Sequence, residues 1–175
     1  DIGSADQQLF GSIHRALDRI NDVQTIDINP VALPIFKHTV YDGKIIPFPD
    51  RRFDVVSLID VLHHTENIAE ILTEAKRVSK KWIIIKDHKY TNAIEKKILA
   101  VQDWFGRFGL KDSDFPLPYN YLTFEQWEDI FFDLGLEATC FLKSMDYRHP
   151  FPFNILYSDK LHFICLLKIN SGPGN

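Results

Sequence analysis

At 175 residues, 45% apolar and 25% charged, the chain is long enough to bury one domain's core and too apolar for a disordered or low-complexity segment. Twenty Lys and Arg against 24 Asp and Glu leave a net charge of −4. That balance suits nucleic-acid binding poorly, because such binding draws on neutralised phosphates. The longest wholly apolar run, Phe163 to Leu167, falls far short of the roughly 20 residues that span a bilayer.

In chain order, the turn Gly3-Ser4-Ala5-Asp6 precedes a helix predicted from Leu9, Ile13, Ala16, Leu17 and Ile20 at helical spacing. Val23 to Ile28 reads as a β-branched strand stopped by Asn29-Pro30, and Pro34 forbids a long helix over 31–36. Lys37 to Tyr41 is a second strand, ended by Asp42-Gly43. A Pro-punctuated loop over 44–52 leads into a buried strand, Phe53 to Ile59. Ile68, Ile71, Leu72, Ala75 and Val78 mark an amphipathic helix, and Trp82 to Lys86 has the two-faced apolarity of a central parallel strand. Ile94, Ile98, Val101, Phe105 and Phe108 define a longer helix, with Trp104 and Phe105 expected in the core. Thr123 and Gln126 form a capping box ahead of the stripe Phe124, Trp127, Ile130, Phe131 and Leu134, and Gly135 supplies the stop. Leu136 to Leu142 and Leu161 to Ile169 close the chain as an expected antiparallel pair, joined by an aromatic loop over 143–160.

Strands alternating with helices imply an α/β fold: a doubly wound, mostly parallel, Rossmann-like sheet with an antiparallel C-terminal strand pair. One domain is expected over residues 1–170, with 171–175 a flexible tail. Ile2 is the only strand-like residue before the first turn. A first strand largely missing, from a protein cut near its N-terminus, is therefore expected. Two cysteines make no disulfide framework. Cys140 and Cys165, in strand-like stretches, are expected as core thiols of a cytoplasmic protein.

Doubly wound sheets bind ligands beyond the carboxyl ends of their strands, at the switch point of strand order. In this chain those ends are Asp1 to Asp6, Asp27 to Asn29, Asp42-Gly43, Asp60 to His64 and Asp87 to Tyr90, each polar or acidic. Adjacent histidines such as His63-His64 point in different directions, and no Cys/His/Asp quartet completes a set, so no metal is expected.

Three of these clusters together resemble class I S-adenosylmethionine-dependent methyltransferases. Asp1-Ile2-Gly3-Ser4-Ala5-Asp6 is similar to the Asp-x-Gly-x-Gly-x-Gly loop after their first strand, and Asp27 follows about 20 residues later. Ile46-Pro47-Phe48-Pro49-Asp50-Arg51-Arg52-Phe53-Asp54-Val55-Val56, running on to Asp60-Val61-Leu62-His63-His64, resembles the small-molecule (ubiquinone and sterol methyltransferase-like, type 11) branch. The likeness is good over roughly residues 1–87 and looser beyond. It departs at Ala5 and Gln7, which stand where the family has glycines, and Gln7 brings a side chain where relatives have none.

The resemblance implies S-adenosylmethionine as cofactor, S-adenosylhomocysteine as product and a small-molecule acceptor methylated at O, N or C. The implied cofactor residues are Asp1, Gly3, Ala5, Asp27, Ile28, Asp42, Gly43, Asp60 and Val61. Asp27 would accept from the ribose hydroxyls and Asp42 would flank the adenine. His88 and His63 are the candidate bases, being imidazoles near neutral pH beside the crevice. Tyr119, Tyr121 and His64 would wall the acceptor site, with Phe115, Phe151, Phe153 and Tyr157 as further aromatic candidates.

Two rivals stand beside this reading. A nicotinamide-dependent oxidoreductase needs Gly-x-Gly-x-x-Gly, yet after Gly3 the next glycine is Gly11. A catalytically degenerate methyltransferase-like domain with a binding or regulatory role accounts for Ala5 and Gln7.

Overall fold

A computed structural model describes residues 1–16, 20, 22–109, 117–143 and 158–169. The expected tail over 171–175, and Leu17, Phe115, Phe151, Phe153 and Tyr157, lie outside the described residues. In order, the elements are α1 (Gln8–Ala16), β1 (Gln24–Asp27), β2 (Lys37–Val40), β3 (Phe53–Ile59), α2 (Ile68–Val78), β4 (Ser79–His88), α3 (Ala93–Gly109), α4 (Phe124–Asp133), β5 (Leu136–Leu142) and β6 (His162–Ile169).

The strands pair as β2 with β1, and as β3-β4-β6-β5. β1 and β2 are parallel, as are β3 and β4, while β6 runs antiparallel to both β4 and β5. Ile2 joins the two groups. It bridges Ile26 of β1 on one side and Leu58 of β3 on the other, both in the parallel sense. Its N–H donates to the Ser57 carbonyl at 2.9 Å, and the Gly3 N–H donates to the Ile26 carbonyl at 2.8 Å. One buried residue thus occupies the middle of the sheet, where the order reverses.

The core is continuous across this arrangement. Leu58, Ile83, Ile85, Phe163 and Leu167 from the sheet pack with Leu62, Leu72, Ala75 and Trp127, all fully buried. β4 is central as expected, but it is parallel only to β3, and β6 covers its other edge. The capping box forms: Gln126 N–H donates to Thr123 Oγ1 at 3.3 Å, and Thr123 N–H donates to Gln126 Oε1 at 2.8 Å. Arg77 of α2 pins the proline loop by donating to the carbonyls of Ile46 and Phe48, each at 2.8 Å. The same guanidinium binds Glu74 and Asp50.

Two expectations fail in α3 and β5. Trp104 and Phe105 are 49% and 52% exposed, and Ile94 and Val101 also face outward. The buried side of α3 is Leu99 and Gln102 instead. The apolar spacing marks a helix correctly, but only its Leu99–Gln102 side is buried. Cys165 is buried in β6, whereas Cys140 is exposed because β5 is the edge strand. Among the described residues, no helix is long and apolar enough to cross a membrane.

Candidate active site at the strand carboxyl ends

The turn after Ile2 is built from left-handed residues: Gly3 at φ 71°, Ala5 at φ 43° and Gln7 at φ 64°. The positions that lack glycine nonetheless take the conformation glycine favours. Gly3 is required for space as well. A Cβ there would lie 2.2 Å from Val61 Cγ2, so the loop and the end of β3 touch. Gln7 does not fill the crevice side of the turn. Its side chain is fully buried, donating from Nε2 to Thr25 Oγ1 at 2.8 Å, while Oε1 accepts from the N–H groups of Ile35 and Phe36 at 2.7 and 2.9 Å. It replaces glycine's freedom with a tether to the β1–β2 crossover.

The other sequence-predicted donor-side residues assemble in neighbouring pairs. Asp27 Oδ2 accepts from the Ala5 N–H at 2.9 Å and Oδ1 from the Asn29 N–H at 3.0 Å. Each oxygen keeps a lone pair, so the carboxylate retains capacity for hydroxyl donors. Asp42 accepts from the N–H groups of Lys44 and Ile45, both at 2.8 Å, and these bonds hold its carboxyl below the ordinary carboxylate pKa. A Cβ on Gly43 would meet Ile28 Cγ2 at 3.1 Å, which places the ends of β1 and β2 side by side. Burial, followed by the charges of Asp27 and Asp42, pushes the Tyr41 hydroxyl up to about 12. Those two acids therefore share one field. Ser4 Oγ is buried with no hydrogen-bond partner.

Asp1 and Asp60 differ from their neighbours. Asp1 Oδ1 accepts from Ser57 Oγ at 2.7 Å. Asp60, at φ 52°, is tightly paired with the Lys86 ammonium, which offsets its negative charge.

The second half of the site is a buried network that sequence reasoning found only in part. Asp87, fully buried, accepts from the Leu62 N–H at 3.0 Å and from the His88 N–H at 2.6 Å. His63 Nδ1–H donates to Asp87 Oδ1 at 2.7 Å, and His63 Nε2 stands 3.5 Å from Asp103 Oδ2. The Tyr121 hydroxyl donates to that same Asp103 oxygen. His88 Nδ1 lies 3.2 Å from His63 Nδ1. Since the His63 proton is directed at Asp87, His88 presents a lone pair there. His162 packs beyond, its ring tilted 48° to that of His88 and 4.5 Å away between centroids.

The electrostatics follow from this packing. Burial works against charge on His63, but the charge and hydrogen bond of Asp87, with Asp103 and Asp60 further off, raise its pKa above the ordinary value. Burial likewise opposes charge on Asp87, yet His63 and His88 hold that carboxyl far below the usual range. Burial and then the hydrogen bond to Asp103 push the Tyr121 hydroxyl well up. His162, desolvated and beside His88, is pushed down to about 3.

Of the remaining candidates, Tyr121 is buried while Tyr119 is 38% exposed at φ 53°. His64 packs against His63 at 4.0 Å between centroids. Asn120 ties this segment down, its N–H donating to the His63 carbonyl at 3.3 Å and Nδ2 to the Thr65 carbonyl at 3.2 Å. Asp87 was expected only as one of the polar strand ends facing the crevice, and Asn120 only beside Tyr119 and Tyr121 at the acceptor wall. Asp103 was not expected at all, because it lies mid-helix, where an acid ordinarily faces water.

Residues 1–82 match a family model described as a methyltransferase domain. No curated protein matches the chain in sequence. Among solved structures, the fold is similar to a chain of the Haloferax volcanii complex between the Trm112 methyltransferase activator and a methyltransferase, at TM-score 0.72 and 14% identity over 97% of this chain and 80% of that one. It is also similar to a SAM-dependent methyltransferase from Aquifex aeolicus, at TM-score 0.63 and 16% identity over 97% and 80%. A third similar structure is a SAM-dependent methyltransferase from Thermotoga maritima described as a possible histamine N-methyltransferase, at TM-score 0.67 and 12% identity over 96% and 80%. The chain is thus similar in sequence over residues 1–82 to a methyltransferase domain, and in fold to S-adenosylmethionine-dependent methyltransferases.

Proposed function

We propose that the chain transfers a methyl group from S-adenosylmethionine to an O, N or C nucleophile of a small-molecule acceptor at the carboxyl ends of β1 to β4. The observation that carries this is the contact set Gly3–Val61, Ala5–Asp27 and Gly43–Ile28, which gathers three separate strand ends around the switch point marked by Ile2. The residues fit the donor. Asp27 keeps acceptor capacity for ribose hydroxyls, Ser4 Oγ is a buried group awaiting a partner, and Ile28 and Val61 offer apolar flanks. When bound, the donor supplies a methyl already activated by a positively charged sulfur.

The protein's own residues bind, orient and exclude water, and proximity provides most of the acceleration. Asp27 holds the ribose, Asp42 and Gly43 flank the adenine, and the Asp1–Gly3 turn with Asp60 and Val61 borders the reactive end. On the acceptor side, Tyr119 and His64 form the wall. Tyr121 acts through Asp103 and not as an exposed surface. His88 receives the proton of an acceptor that arrives protonated, and His63, gripped by Asp87 and Asp103, fixes the ring and tautomer of His88. The free thiols Cys140 and Cys165 support a cytoplasmic setting.

Calorimetry with S-adenosylhomocysteine tests this reading. Wild-type protein is expected to bind, Asp27→Ala to lose most of the affinity, and millimolar ligand without heat would defeat the assignment. A regulatory binding domain is the second reading, favoured by the Lys86 ion pair that neutralises Asp60. It predicts that Asp27→Ala loses cofactor affinity yet leaves the biological activity intact.

A further inference from the structure

We infer that His63, His88 and Asp103 form a binding site for one divalent transition-metal ion of the zinc class. One ligating atom from each of the three lies within 4.8 Å of the other two. His63 and His88 are buried and Asp103 is nearly so, with 11% of its side chain exposed. Two imidazoles and a carboxylate are the donor set such ions prefer, and three protein ligands leave a fourth position open.

The spacing favours an ion over hydrogen bonding alone. His63 Nε2 and Asp103 Oδ2 are 3.5 Å apart, beyond the ordinary N–H···O range. Two ligands each about 2.0–2.1 Å from one tetrahedral ion stand about 3.3 Å apart. A shift of a few tenths of an ångström therefore converts the pair from a stretched contact to a coordination edge.

The surroundings are those of a metal site as well. A ligating histidine donates its other N–H to a carboxylate that fixes the ring. His63 does this to Asp87, and Asp87 is itself held by two backbone N–H groups. Asp103 is oriented in turn by the Tyr121 hydroxyl. A second triad, Asp60, His88 and His162, has comparable spacing. There the Lys86 ammonium already sits on both Asp60 oxygens, so a cation would have to displace it. The first triad is the site.

Ion binding stands apart from methyl transfer. Only its consequence rests on that reading: an acceptor oxygen or nitrogen in the open position would be acidified by coordination, relieving His88 of the task of base. The test uses the full chain, dialysed against a chelator and titrated with Zn²⁺ by calorimetry and with Co²⁺ by visible absorption, with no methyl donor present. One equivalent is expected, with the intense ligand-field bands of four-coordinate Co²⁺. Asp103→Asn and His63→Gln should each abolish those bands, and Asp87→Asn should weaken binding by about 10-fold or more through the lost support of His63. His162→Gln should bind as wild type. Circular dichroism reports whether each variant is folded, and Asp103→Asn, on the outer part of the cluster, keeps the test decisive if the His63 variant is not. Absence of binding by wild-type protein, unaltered binding by folded Asp103→Asn, or loss confined to His162→Gln would overturn the assignment. Each of these outcomes is independent of S-adenosylhomocysteine calorimetry.

Discussion

Replacing Ala5 by glycine should stabilise the protein. Ala5 sits at φ 43° with its methyl exposed, so almost no packing is lost with the side chain. A non-glycine residue held in the left-handed region costs about 1–2 kcal/mol. Glycine's greater freedom in the unfolded chain returns about 0.4–1 kcal/mol of that. The bond from the Ala5 N–H to Asp27 is a backbone interaction and survives. The net gain is about 0.5–1 kcal/mol, which for a chain of this size raises Tm by about 1–4 °C. Gln7→Gly relieves a similar conformation but should move the other way. It strips the partly buried N–H groups of Ile35 and Phe36 of their acceptor and the buried Thr25 Oγ1 of a donor. A buried orphaned group costs about 1–3 kcal/mol and a partly hydrated one less, so the variant should lose about 2 kcal/mol. Thermal unfolding followed by circular dichroism measures both. If Ala5→Gly lowers Tm, or if the two variants shift together, the reasoning on this turn is wrong.

Gly3→Ala should be severely destabilising, by about 3 kcal/mol or more, because it adds left-handed strain to a clash with Val61. Chemical denaturation checks it, and the added variant Val61→Ala should restore part of the loss. Glu74 has its carboxyl held below the ordinary value, first by the hydrogen bond from Arg77. Because the folded pKa lies below the unfolded one, the stabilisation is complete above about pH 4.5 and lost as pH falls through the folded value. Urea unfolding from pH 6 to 3 should show less acid sensitivity in Glu74→Gln than in wild type; equal slopes would remove Glu74 from the account. Burial pushes the Cys165 thiol up to about 12, whereas Cys140 is exposed. Iodoacetamide at pH 8 should therefore label Cys140 alone in the native protein, read by peptide mass mapping, and label both only in denaturant.

Local chemistry made much of this protein legible in the sequence. The Thr123–Gln126 box, the α2 stripe and the β-branched runs of β1 and β3 declare themselves because caps and periodicity act over a few residues. The donor-side acids were legible too, since each closes a strand and the class of sheet dictates where strand ends meet. Long-range pairing decided the rest. Ile2 is a single apolar residue in the sequence, and only the pairing of β1 and β3 on either side makes it the centre of the sheet. Gln7 read as an intrusion until the crossover supplied backbone N–H groups for it to hold. The exposure of Trp104 and Cys140 depended on which side of α3 the fold buries and on β5 lying at the sheet edge. Above all, His63, Asp87, His88, Asp103 and Tyr121 come from four segments whose spacing carries no period. Burial drives their polar groups to satisfy one another, and that demand exists only once the chain has closed around them.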